Sequence, residues 1–149
     1  MIKRVVLIVT LAVAACAATP TERIQARQDL MRSNKAALIE LGKITSGEAP
    51  WDAEAAQRFA VTVINNALRI PALTEKGTGP ESGRTRARPE IWTDPDNFER
   101  AAWNIEDQAR GILALARVGD EAGVRARLTR LEKDCDGCHS RFMFPEFPR

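Results

Sequence analysis

Two apolar stripes in the second half of the chain constrain its fold most. Phe98, Ala102, Ile105, Ala109, Ile112 and Ala116 follow one another at steps of 4, 3, 4, 3 and 4 residues. Val124, Leu128, Leu131, Cys135, Cys138 and Phe142 repeat the same steps. That spacing lines up one face of an α-helix, and such a face needs another helix to cover it. Two earlier stretches behave alike. From about Thr21 to Lys43, Ile24, Met31 and Leu38 recur every seven residues beside Leu30, Ala37, Leu41 and Ile44. From about Asp52 to Ile70, the face is Phe59, Val63, Ala67 and Ile70. There is no strand alternation. The pattern predicts an all-α protein, an antiparallel four-helix bundle with two short connections and one long one.

The punctuation agrees. Gly42 and "TSGEAP" close the first stretch. Asp52 is placed as an N-cap, with Trp51 positioned to staple onto Ala56, and Pro71 stops the second stretch. Asp94 reads as the next N-cap, with Pro95 at the first helical position, where a missing N–H costs nothing. Gly119 reads as a C′ residue, Asp120 as the last N-cap, and Pro145 closes the fourth helix. Between Pro71 and Thr93 lies a long loop. It includes "RTRAR", Arg84 to Arg88, which reads as a solvated segment rather than a docking patch.

The first residues, "MIKRVVLIVTLAVAACAAT", stand apart. Lys3 and Arg4 precede a short apolar run and then small residues, the layout of a secretion signal too short for a comfortable membrane span. The expected organisation is a signal over residues 1–16 and one domain over 17–149. "VAAC" ending at Cys16 also resembles a lipobox, which would make Cys16 a lipid anchor; ordinary cleavage after Ala17 is the alternative. The 22 Lys and Arg against 20 Asp and Glu suggest a slight basicity that leaves with Lys3 and Arg4. The remaining domain is near neutral, which argues against nucleic acid as a partner.

Of three cysteines, Cys16 belongs to the leader, so Cys135 and Cys138 remain, within "CDGCH". A disulfide between them would close too small a ring to stabilise the fold much. Both continue the fourth apolar stripe, so both thiols are expected to face the bundle core. His139, the only histidine, follows directly. C-x-x-C-H is the attachment signature of c-type haem. Two thiols one turn apart add across the porphyrin vinyl groups, and the adjacent imidazole takes the iron. Zinc would want more ligands than two Cys and one His supply. A thioredoxin-like pair expects a βαβ setting. Two ordinary core thiols would oxidise in an exported chain. The motif therefore predicts one haem c per chain, bound inside the bundle by Cys135 and Cys138, with His139 as proximal ligand.

A second histidine is not available for the other side of the iron. The domain holds two methionines, Met31 and Met143. Met143 lies four residues after His139 and would approach from the same side. Met31 sits on the first helix's core stripe, where it is either the distal ligand or a gap-filling core residue.

These motifs resemble the cytochrome c′ family, the class II c-type cytochromes. "RQDLMRSNKAALIELGKITSGEAPWD" is similar to the family's first helix and turn, "ARPEIW" to the segment before its third helix, and "CDGCH" to its haem motif. The resemblance implies a helical bundle around the haem. It also implies two functional branches, a five-coordinate one binding nitric oxide or carbon monoxide and a low-spin one carrying electrons. "LMRSN" is similar to the low-spin branch, whose distal methionine matches Met31. Arg27 and Gln28 match positions that lie against the haem propionates in relatives; an exposed helix face is the alternative for both. Relatives carry a basic residue where this chain has Met143, and Arg141 is expected to compensate. Relatives also pair through their first two helices, so a homodimer is an expectation. The reading is an exported, periplasmic electron carrier rather than an enzyme, with redox partners that the sequence does not name. The tail "FPEFPR" has no counterpart in the resemblance.

Overall fold

The computed structural model describes residues 18–148, so the expected leader, with Cys16 and its lipobox, lies outside the described residues. The elements are α1 (Pro20–Ser46), α2 (Ala53–Arg69), a 3-10 turn (Pro71–Leu73), α3 (Glu90–Thr93), α4 (Pro95–Arg117) and α5 (Glu121–Phe142). The expected all-α bundle of four long helices is present. Its caps are mostly those expected. The Asp52 carboxylate accepts from the Ala55 N–H at 2.9 Å and Asp120 from the Gly123 N–H at 2.9 Å. Gly119 takes a φ of 73°, a left-handed turn that favours glycine.

Three boundaries differ from expectation. α1 runs through Gly42 and ends at Gly47, whose φ is 86°. A glycine inside a helix costs only about 1 kcal/mol. Burial of Leu41 and Ile44 on either side offsets that. At its start, Thr19 and Glu22 form a reciprocal capping box. Asp94 makes no side-chain cap; its carboxylate instead accepts from the Asn97 amide at 2.8 Å and pairs with Arg141. The fourth long helix stops at Phe142, before Pro145, because Met143 turns extended.

Packing is uneven. α2 against α4 and α4 against α5 are the intimate pairs; α1 lies on α2 and barely touches α5. Ala56, Ala60 and Ala67 on α2 and Ala109 and Ala116 on α4 are fully or almost fully buried. Small side chains let helix axes approach closely. Around them Leu41, Phe59, Ile112, Val124 and Leu131 fill one end of the bundle, with Trp51 packed at the margin. Each large aliphatic buried there contributes roughly 1.5–3 kcal/mol. A second cluster at the other end joins Leu30, Ile70, Ala87, Ile91, Phe98 and Phe142. Phe98 meets Phe142 edge to face, with centroids 5.2 Å apart.

The long connection is more ordered than the sequence suggests. Trp92 of α3 donates its indole N–H to the Thr74 carbonyl at 2.9 Å, folding the loop onto itself. "RTRAR" is not simply solvated. Its residues alternate, with Thr85 and Ala87 buried and Arg84, Arg86 and Arg88 more exposed. The segment is extended because it pairs antiparallel with the chain's end at Ala87 and Met143. The Arg88 N–H donates to the Phe142 carbonyl at 3.0 Å and the Phe144 N–H to the Arg86 carbonyl at 2.7 Å. The alternation is short and pairs across the fold, so no local period reveals it.

Candidate functional site

Where α1 and α5 stand apart, a cavity of about 530 Å³ opens between them, walled by α4, Ile70 and the segment from Thr85 to Ile91. Arg27, Gln28 and Met31 reach it from α1, and Cys135, Cys138 and His139 from α5. The structure thus brings all six residues singled out from the sequence to one cavity.

On α5 the stripe that buries Leu128 and Leu131 continues directly into Cys135 and Cys138. Both thiols pack partly buried against the core, while Asp136 and Gly137, between them, are exposed. The i, i+3 spacing of a helix makes this sorting. Burial pushes the Cys135 thiol up to about 12, helped by Cys138 and nearby carboxylates, and the Cys138 thiol up to about 11. Burial likewise pulls the His139 imidazole below its ordinary range. Asp136 opposes that shift and Arg86 reinforces it. The ring is therefore neutral at pH 7, with a lone pair free to bind a metal.

Two residues near His139 escaped the sequence reading. Arg86 supplies the neighbouring cation, not Arg141, whose guanidinium is held by Asp94. The two-residue alternation inside "RTRAR" is too short to have pointed to Arg86 without its distant partner, the chain's end. Asp136, given no role from sequence, supplies the negative charge that opposes the effect of burial.

On α1, Arg27 is 8 % exposed, which excludes the exposed-face alternative. Its two terminal nitrogens donate to the Leu73 and Thr78 carbonyls, each at 3.0 Å, and to the Thr78 and Thr85 hydroxyls at 3.3 and 3.0 Å. All four acceptors are neutral. Burial lowers its pKa, yet a guanidinium stays charged, so a full positive charge lines the cavity with no carboxylate among its partners. Half-buried Gln28 donates to the Arg84 carbonyl at 2.8 Å. Met31 lines the cavity on α1, and Met143 lines it from beyond the end of α5, with its backbone extended rather than helical.

The donor set suits an iron porphyrin. Met31, Leu38, Ile105, Phe98 and Phe142 offer apolar walls to a flat ring, and Arg27 and Arg86 offer cations to its acid groups. Two thiols and an imidazole sit on one wall.

The family model described as Cytochrome C' matches residues 22–143. The chain belongs to the cytochrome c′ family. It is 31 % identical over 119 residues to cytochrome c-556 of Agrobacterium tumefaciens (strain II Chrys), covering 80 % of this chain and 94 % of that one. It is 27 % identical over 124 residues to cytochrome c' of Rubrivivax gelatinosus, covering 83 % and 95 %. The crystal structure of cytochrome c' from Rubrivivax gelatinosus superposes with a TM-score of 0.77 at 25 % identity, covering 84 % of this chain and 97 % of that one. The protein is a c-type cytochrome of this family, and its cofactor is haem c, one per chain.

Proposed function

We propose that this cytochrome carries single electrons, with His139 and Met31 as the two axial ligands of the haem iron. The observation that carries this reading is the placement of Met31. It stands on α1, the wall of the cavity that faces the α5 thiols and imidazole. Similarity to cytochrome c-556 supports the methionine-ligated branch. When bound, the haem supplies a one-electron iron couple. Cys135 and Cys138 hold the ring through thioethers, and neutral His139 presents its lone pair on the α5 side. Arg27 and Gln28, on the α1 wall, would meet the ring's acid groups. A methionine thioether raises the potential relative to nitrogen-only ligation. The apolar walls and the Arg27 charge act in the same direction, since both disfavour the extra positive charge of ferric iron.

The visible spectrum of the purified protein tests this. A low-spin ferric spectrum with a methionine-to-iron band is expected, and Met31→Ala should abolish it and yield a high-spin form. A high-spin wild-type protein whose ferrous form takes up carbon monoxide would overturn the ligation and make the chain a gas binder.

The same reading makes the protein a carrier rather than an enzyme, exported to the periplasm, with a redox protein rather than nucleic acid as partner. Mass spectrometry of the mature N-terminus distinguishes a lipidated Cys16 from a free end. Exposed Ile39 on α1 and Val61 and Leu68 on α2 support pairing of two copies through these helices. Sedimentation at micromolar concentration would show a dimer, and a monomer would refute it.

A further inference from the structure

The family match ends at residue 143, yet the structure gives the following residues definite contacts. Phe144 is anchored by its N–H to the Arg86 carbonyl, and the Pro145 carbonyl accepts from the Arg86 guanidinium at 2.9 Å. Arg88 lies over the Phe144 ring at 5.5 Å from its centroid. Arg84 lies over the Phe147 ring at 4.2 Å, with Arg86 at 5.9 Å. Phe147 itself lines the cavity between α1 and α5. The three outward arginines of "RTRAR" therefore do one job together, clasping two aromatic rings of the tail.

We propose that residues 144–147 form a strap closing the cavity on its Arg84–Arg88 side, and that Phe147 sets how freely water and small redox-active solutes reach the haem. The inference rests on the haem occupying that cavity. The chemistry follows from the parts. Cation–π contacts hold an aromatic ring against an arginine without neutralising the charge. Pro145 fixes its own φ and stiffens the turn between the two rings. An apolar ring at the edge of a haem site excludes water, which lowers the local dielectric and favours the less charged ferrous state. The strap contains none of the residues proposed to hold the haem or its iron, so it tunes exposure without altering the ligands.

The test uses holoprotein as full chain, as a chain ending at Met143, and as Phe147→Ala. Each is reduced and then oxidised by benzoquinone, a neutral small oxidant chosen so that arginine charge does not steer it. The expected result is a several-fold rise in the bimolecular rate constant for Phe147→Ala and a larger rise for the shortened chain. The reduction potential should fall in the same order while the axial-ligand spectrum stays unchanged. Arg84→Gln, which releases the ring but keeps it, should fall between wild type and Phe147→Ala. If the shortened chain does not fold, Phe147→Ala decides alone. A rate constant equal to wild type in Phe147→Ala overturns the strap. Failure of the underlying site reading would look different: covalent haem would survive Cys135→Ser with Cys138→Ser.

Discussion

Along α5, Val124, Leu128 and Leu131 are 0, 5 and 0 % exposed, whereas Cys135 and Cys138, next on the same stripe, are only half-buried. α1 shows the same division. Leu41 is sealed, and Met31 and Leu38 are half-buried. One end of the bundle is closed by its own side chains. At the other end α1 and α5 part, and a cavity opens beside the smaller cluster of Leu30, Phe98 and Phe142. A heptad-like repeat thus specifies that helices associate. The chemistry of the residues on the repeat decides what the space between them becomes, a leucine-filled core at one end and a thiol-lined cavity at the other.

The largest expected effect comes from cutting the tether at the open end. Cys135→Ser combined with Cys138→Ser should remove all covalent haem, read as loss of the haem band on a denaturing gel. Amide exchange should then quicken around Met31 and Cys138 while the Leu41 and Leu131 end keeps its protection. Retained protection at both ends would erase the contrast between them.

Truncations come next. Leu131→Ala at the closed end should cost about 2–5 kcal/mol, as fully buried leucines do. Leu38→Ala on the cavity wall, half-buried to begin with, should cost less than about 2 kcal/mol. Denaturant melts of the two variants measure the gap, and equal costs would show the two walls to be packed alike.

A smaller effect concerns the thiols of the chain before haem is attached. With their values raised to about 12 and 11, Cys135 and Cys138 stay protonated at pH 8, so a haem-free chain should alkylate slowly. Labelling should quicken as pH rises towards 11, Cys138 first. The sign for stability follows from the same shifts. A thiol raised by folding stabilises the haem-free fold fully below its unfolded value near 9, and that contribution fades as pH climbs through 11 and 12. Labelling as fast as in a denatured chain would place the thiols in water.

The smallest effect should not depend on the end of the bundle at all. Thr19→Ala at the start of α1 and Asp120→Ala at the start of α5 each remove one helix cap. Each should cost about 0.5–2 kcal/mol in a thermal melt.

The four long helices and the residues on the cavity were legible because they follow local periods and one strong motif. The spacing of Cys135 and Cys138 on the stripe already implied an inward-facing pair. What stayed hidden depends on partners distant in sequence. Asp94 looks like a cap from its neighbours, but Arg141 claims its carboxylate. Gly42 looks like a stop, but the burial of Leu41 and Ile44 carries the helix past it. Arg86 looks solvated until the chain's end folds back beside it, and only then do Thr85 and Ala87 gain an inside to face. The buried state of Arg27 was equally invisible, since its acceptors lie in the loop beyond α2.

The slight contact between α1 and α5 has a mechanical meaning. α2, α4 and α5 are locked by closely packed side chains, so they behave as a stiff body. The remaining helix leans on α2, touches α5 little, and is tied to it mainly through the hydrogen-bonded loop that holds Arg27 and Gln28. A joint of that kind is compliant. Under the Met31 ligation proposed above, a thioether carried on the lean helix would follow small movements of the iron instead of opposing them, while the stiff body would keep the imidazole side still.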